Sequence, residues 1–376
     1  MTGLLIETVG IELEGLGITQ EKLSALVSRD PYLCNRIGIT HDASAELYIK
    51  KLRDNINVVD HNTIVAGLRG NKFVSGYEAV SVPLSFDETD KAMTRLMDIL
   101  KANGEFFSPR ASMHIHVGFA HNLSLMKTAL LLGLYLDSLL FQLGAMGEEF
   151  RGSINESVYC RPLTGGQVAI CGNRSKYRIL SPEKALSATS LEDFWATYAV
   201  NPNRPPNRYI AGRYFAWNLF SVILHGTIEY RYFNQTLNVN TASAITRVCQ
   251  AITELVLRLD LKGDVERVLE ARLQNLPITE SHPKEEYISQ LVELIRLMSD
   301  VKVGNLPSET HVKTLIGLIE SAKPVKLSST PIKTHLKNYS IPEHFSPFLE
   351  KAGNKIQESG YIDIHNIKNF SILDTK

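Results

Sequence analysis

Three short stretches of the sequence set ionisable side chains two residues apart against an apolar background. In VGIELEG, Glu12 and Glu14 alternate with Val9, Ile11 and Leu13. In SMHIHVGF, His114 and His116 alternate with Met113, Ile115, Val117 and Phe119. In GTIEYRYF, Thr227, Glu229, Arg231 and Phe233 alternate with Ile228, Tyr230 and Tyr232. Side chains at i and i+2 of a β-strand share a face. Each stretch therefore predicts a strand with a charged or imidazole pair on one face and an apolar backing on the other. Taken singly, each pair has an ordinary reading. The histidines fit a metal or phosphate site, a hydrogen-bonded core pair or a wet sheet face; the other two pairs fit a solvated edge and surface charge. Taken jointly, three such faces in one sheet would gather carboxylates that repel one another and raise one another's pKa if the face is dry. Divalent cations remove that repulsion, and carboxylates with one histidine suit Mg²⁺ or Mn²⁺.

The elements that must position these residues are readable from local pattern. Residues 4–14, 72–82 and 226–234 read as strands, together with SMHIHVGF. Helices are expected over 20–28, 87–100 (with Asp87 or Thr89 as the cap), 123–146 and 240–274. Residues 150–212, rich in Arg, Asn, Pro and Gly, read as an irregular region of the kind that shapes binding sites. Its Arg151, Arg161, Arg174 and Arg178 are candidate carboxylate binders or solvated surface arginines. Two further helices, 284–299 and 308–322, lead to a stretch with Lys323, Lys326, Lys333 and Lys337 and no acid, read as a linker or a contact for an anionic partner. Hairpin turn signals are few. An α+β fold with a mostly antiparallel sheet and helices packed on its outer face is expected. Residues 1–275 would form the catalytic domain, and 276–376 a mainly helical C-terminal extension of unknown role.

Composition narrows the function classes. At 376 residues and 44% hydrophobic, the chain can bury a large core. Lys+Arg and Asp+Glu both number 40, so no overall field draws the protein to nucleic acid or an anionic membrane. Cys34, Cys160, Cys171 and Cys249 lack CxxC spacing and read as reduced thiols. The first residues carry no basic region like that of a signal peptide. Asp137 and Gln142 interrupt the most apolar stretch, 128–146, which reads as a buried helix and not a membrane span. A cytoplasmic location is expected.

The same motifs carry a resemblance. GIELEG, SGYEAVSVPL, SMHIHVGF and GTIEYRYFNQTL stand in the order of the E-x-E, Glu, M-H-x-H and E-x-R strands of the carboxylate–amine ligases of the glutamine synthetase superfamily. The set is closest to the amidoligase branch, relatives of glutamate–cysteine ligase. THDASAE resembles the family's D-x-S element, at Asp42, and RYFAWNL its R-x-x-x-x-N segment. The resemblance spans roughly residues 7–245. It implies a glutamine synthetase-like catalytic fold whose sheet lines a site for ATP and two or more Mg²⁺ or Mn²⁺ ions. By motif, Glu12, His114 and Glu229 would hold one ion, and Glu14 and Glu78 the second. Arg231 would meet the γ-phosphate, His116 would touch ATP phosphate or an acyl phosphate, and Arg213 and Asn218 would contact phosphate or substrate or remain strand-edge polar residues. No G-x-x-x-x-G-K-[ST] loop occurs, so ATP would be held through metals and arginines. The implied reaction joins a small-molecule or peptide carboxylate to an amine through an acyl phosphate, releasing ADP. Two rivals stand beside it: a guanidino-kinase-like phosphotransferase, and a degenerate nucleotide-binding interaction protein. The identity of the substrates and the oligomeric state, a homo-oligomer included, are open at this level.

Overall fold

The structure is a computed structural model. It describes residues 8–16, 18–41, 47–48, 73–74, 76–103, 111–145, 160, 162–163, 182–198, 215–278 and 280–322. Asp42, the four arginines of 150–212, Arg213 and the lysines after residue 322 lie outside the described residues.

Six strands form one open antiparallel sheet: β1 (Val9–Leu16), β2 (Ile37–His41), β5 (Gly76–Ser81), β6 (Ser112–Gly118), β7 (Trp217–Asn218) and β8 (Thr227–Asn234). Their order is β2-β5-β1-β6-β8-β7. Only β7 and β8 are neighbours both in sequence and in the sheet. That explains the scarcity of hairpin turns in the sequence. The stretch expected as one strand over 72–82 is two: β4 (Phe73–Val74) pairs with β3 (Leu47–Tyr48) in a separate two-stranded sheet, and β5 joins the large one.

Register decides which side chains share a face. Glu12 pairs with His114, Glu14 with Glu78, His116 with Glu229, and Asn218 with Glu229. Residues directly opposite in an antiparallel pair point to the same side, so one face is polar across five strands. The other face is apolar: Val9, Ile11, Leu13, Met113, Ile115 and Val117 are buried. Between Met113 and Ile115 the register with β8 shifts, so that Arg231 and Tyr232 together oppose His114. Such a bulge reverses the alternation beyond it. Phe233, expected beside Arg231, instead pairs with Met113 on the apolar side, and Asn234 pairs with Ser112 on the polar side.

Ten helices are described. Besides α1 (Gln20–Arg29), three long ones cover the apolar face: α2 (Phe86–Ala102) lies against β1, α3 (Leu123–Gly144) against β8 and α7 (Val239–Lys262) against β6. The cap of α2 is Ser85, which forms a capping box with Glu88, and not Asp87 or Thr89. The long helix expected over 240–274 breaks at Gly263 (φ 70°), leaving α8 (Val265–Arg272) as a separate element. Within the region expected to be irregular stand α4 (Pro182–Leu186) and α5 (Leu191–Tyr198); α6 (Ser221–His225) ends on Gly226 at φ 67°. The last two, α9 (Lys284–Asp300) and α10 (Glu309–Ser321), pack outside α3 and α7. Among the described residues, α3 is the one helix long and apolar enough to cross a membrane; 67% of its most apolar window is buried inside the protein.

Helix α3 lies tight against the sheet at Gly144, where an added Cβ would stand 1.9 Å from the carbonyl oxygen of Tyr232. That neighbour is strand backbone and cannot swing aside. Gly144→Ala should therefore cost on the order of 3 kcal/mol by overpacking, measured by urea denaturation. An unchanged midpoint would mean that α3 can slide on β8.

Candidate active site

The polar face gathers Glu12, Glu14, Glu78, His114, His116, Asn218, Glu229 and Arg231, every site residue inferred from the sequence that falls among the described ones. The contacts form a connected set. Nδ1 of His114 lies 2.9 Å from Oε2 of Glu12 and 3.5 Å from Oε1 of Glu229. Nε2 of His114 lies 2.8 Å from Oγ of Ser112 and 4.0 Å from Oε1 of Glu14. The Ser112 hydroxyl donates to Oε2 of Glu14 at 2.5 Å, and its backbone N–H donates to the same oxygen at 3.0 Å. Glu78 accepts from Thr40 at 3.2 Å.

Nε2 of His116 approaches Oε1 of Glu12 to 3.1 Å, an ion-pair distance outside hydrogen-bond geometry. Its Nδ1 meets Oγ1 of Thr227 at 3.0 Å, and Thr227 in turn meets Ser221 at 2.9 Å. The Glu229 carboxylate is held from two sides. Asn218 donates to Oε2 at 2.5 Å, and the Arg231 guanidinium bonds Oε1.

Burial sets the electrostatics. It favours the neutral carboxyl of Glu12, but the hydrogen bond with His114 and the close approach and charge of both histidines outweigh it, and the group stays well below the usual carboxylate range. Burial likewise opposes ionisation of Glu229, and the Arg231 guanidinium with both histidines reverses the balance, so its pKa is lowered. The two imidazoles diverge. Burial and the nearby Arg231 charge push His114 down. For His116, Glu229 and Glu12 overcome burial and push it up.

Two overlapping sets of donors stand within 4.8 Å of one another: Glu12, His114 and Glu229, and Glu14, Glu78 and His114. Carboxylate oxygens with one imidazole form a hard, mainly oxygen donor set, which fits Mg²⁺ or Mn²⁺ far better than a thiol-seeking metal. The sequence reading missed Ser112, Ser221 and Thr40. Ser112 was findable, since it sits two residues before His114 and so on its face. Ser221 and Thr40 reach the site through pairings that no local pattern reveals.

A polar sheet face of this kind, built from E-x-E, H-x-H and E-x-R strands and backed by helices, is a largely buried cluster of charged groups suited to binding ions. The family described as "Putative amidoligase enzyme" matches residues 6–253, from just before β1 into α7. The chain belongs to this amidoligase family and is, at that level, a ligase. No curated protein matches the chain.

The Glu229–Arg231 pair predicts a stability effect separate from any activity. Removing one partner of a buried pair leaves an uncompensated charge, at about 3–5 kcal/mol. Arg231→Ala should destabilise by that order in urea, and adding Glu229→Gln should recover part of the loss, a coupling of roughly 1–3 kcal/mol. Strict additivity of the two changes would show that the pair does not interact in solution.

Proposed function

We propose that the polar face is the active site of an ATP- and Mg²⁺-dependent, ADP-forming carboxylate–amine ligase on a glutamine synthetase-like fold. The observation that carries this reading is the convergence of four glutamates, two histidines and a buried arginine from four different strands onto one face. Glu12, His114 and Glu229 would hold one ion, and Glu14 and Glu78 the other. Bound there, the ions would offset phosphate charge and orient the γ-phosphoryl group.

The chain's own residues have separate tasks. Arg231, held by Glu229, presents a permanently charged, planar donor to the charge that grows on the transferred phosphoryl group. His116, buttressed by Thr227 and Ser221, keeps an ring N–H available for a phosphate or acyl-phosphate oxygen. Asn218 fixes the rotamer of Glu229. Arg213, outside the described residues, remains a candidate phosphate contact. The substrate carboxylate attacks the γ-phosphorus, the bond to the ADP oxygen breaks, and an acyl phosphate forms. An amine then attacks the acyl carbon and phosphate leaves, giving an amide or isopeptide bond. A free carboxylate cannot follow this route, because it would have to expel oxide. The site contributes mainly position and charge neutralisation. The substrates are small-molecule or peptide carboxylates and amines, and the neutral overall charge argues against a nucleic-acid partner. The expected location remains the cytoplasm.

Two experiments test the reading. Carboxylates are screened with ATP, Mg²⁺ and hydroxylamine in place of the amine. The true substrate should yield ADP, phosphate and a hydroxamate. AMP would indicate an adenylating ligase, a stable phosphorylated nitrogen a guanidino kinase, and no product from any carboxylate a binding module. In the second, Arg231→Lys should lower kcat by about 10²-fold or more while leaving ATP affinity within a few-fold. Loss of affinity at normal kcat would reassign Arg231 to ground-state binding.

A further inference from the structure

His114 stands between the two donor sets, with Nδ1 toward Glu12 and Glu229 and Nε2 toward Glu14. A neutral imidazole has one lone pair, so it can serve one ion only, and its other nitrogen must donate a proton. Which nitrogen does which is decided by the hydrogen bond the ring makes on its far side.

Ser112 occupies that far side. Its Oγ is 2.8 Å from Nε2 of His114 and 2.5 Å from Oε2 of Glu14, and the residue is 1% exposed, so bulk water cannot substitute for either contact. The hydroxyl has one proton for two short contacts. If it donated to Nε2, the 2.5 Å approach to the Glu14 carboxylate would hold two oxygens together with no proton between them. If it donates to Glu14, Nε2 must supply the proton of the other contact. With Glu14 ionised, only the chain Nε2–H to Oγ, then Oγ–H to Oε2, places a proton in both. The backbone N–H of Ser112, donated to the same Glu14 oxygen, fixes the serine in this orientation. Without an ion, the 2.9 Å contact of Nδ1 with Oε2 of Glu12 calls for a proton there too; an ion seated between Glu12 and Glu229 would displace that proton and meet the Nδ1 lone pair, while Nε2–H stays on Ser112.

We propose that Ser112 is a positioning residue that selects the His114 tautomer and, by the same hydroxyl, ties the two acidic groups into one unit. The inference rests on reading this face as a two-ion centre. His114 then belongs to the Glu12–Glu229 group alone, and the Glu14–Glu78 group is completed by carboxylates and water. Loss of the hydroxyl would loosen both groups, because His114 could turn its lone pair either way and Glu14 would lose a donor.

The test needs no substrate. The parent protein, Ser112→Ala and Ser112→Thr are titrated with Mn²⁺ and followed by electron paramagnetic resonance of the free ion, with thermal melts to establish folding. The parent should bind two ions per chain. Ser112→Ala should bind them 10- to 100-fold more weakly, the usual cost of losing a residue that orients a ligand, and Ser112→Thr, which keeps the hydroxyl, should recover most of the loss. Nitrogen-15 spectra of the histidines in the Mg²⁺-loaded parent read the tautomer directly and depend on no variant. His114 should carry its proton on Nε2. A proton on Nδ1, or Ser112→Ala binding both ions as tightly as the parent, would overturn the role of Ser112 and leave the ion centre standing. A parent that binds no Mn²⁺ would overturn the ion centre and this inference with it.

Discussion

Charge compensation in a partly dry place is the constraint from which the rest of the site follows. Glu12, Glu14, Glu78 and Glu229 converge on one sheet face from β1, β5 and β8, the first two adjacent and the third one strand further on, across β6. Arg231 is the permanently charged cation among the described residues in direct contact with them, and it is engaged with Glu229. The two imidazoles cannot share the remaining work equally. Burial and Arg231 push His114 toward its neutral form, whereas Glu229 and Glu12 hold His116 toward its charged form. Positive charge is thus concentrated along the Arg231–His116 side. The donor set around His114 keeps carboxylate charge that a divalent cation would neutralise more completely than a proton could.

The sheet can concentrate charge on one face because its other face is fully committed to hydrophobic packing. Tyr230 and Tyr232 illustrate how the two sides are joined. Both are buried on the helix side, and their hydroxyls find partners there, Thr253 on α7 at 2.7 Å and Asp137 on α3 at 2.7 Å. These bonds clamp β8 at the residues flanking Arg231. Asp137, which looked in the sequence like a mere interruption of an apolar helix, also accepts the backbone N–H of Leu163 at 2.8 Å. A helix polar residue thereby fixes the bulge that aims the guanidinium, and Cys160 adds a bond to the Arg231 carbonyl at 3.1 Å.

What could be read beforehand was whatever depends on spacing within one strand. The pairs at Glu12 and Glu14, at His114 and His116, and at Glu229 and Arg231 are local statements, and the face they predicted is the face they share. The order of the motifs made the family legible for the same reason. Features that depend on what lies across the ladder were not legible. Nothing in GTIEYRYF announces that two of its residues would oppose His114, so Phe233 was assigned to the wrong side. The edge strand Ile37–His41 and the two-residue strand Trp217–Asn218 are too short to show a period, and Ser85 caps α2 because its side chain meets Glu88, the residue next to the acid that looked like a cap. The break at Gly263 was visible as a glycine, but apolar periodicity continued past it and outweighed the signal.

The helices beyond the family match are physically tied to the part inside it. The match ends at residue 253, one residue before Glu254. That side chain is 1% exposed and accepts from the backbone N–H groups of Gly304 at 2.7 Å and Asn305 at 3.1 Å, pinning the turn between α9 and α10 to α7. A buried carboxylate with three such donors, counting the Asn305 amide at 3.1 Å, is satisfied without a metal. Tyr287 of α9 meets Ser138 of α3 at 3.1 Å, and Gln290 donates to the Tyr135 carbonyl at 2.9 Å. Leu291, Leu294, Leu315 and Ile319 belong to the same hydrophobic cluster as the inner face of the sheet. Since α3 and α7 carry the partners of Tyr232 and Tyr230, a layer that stiffens those two helices also stiffens β8. The outer helices therefore bear on the position of Arg231 through two packed layers, although neither of them comes near the polar face.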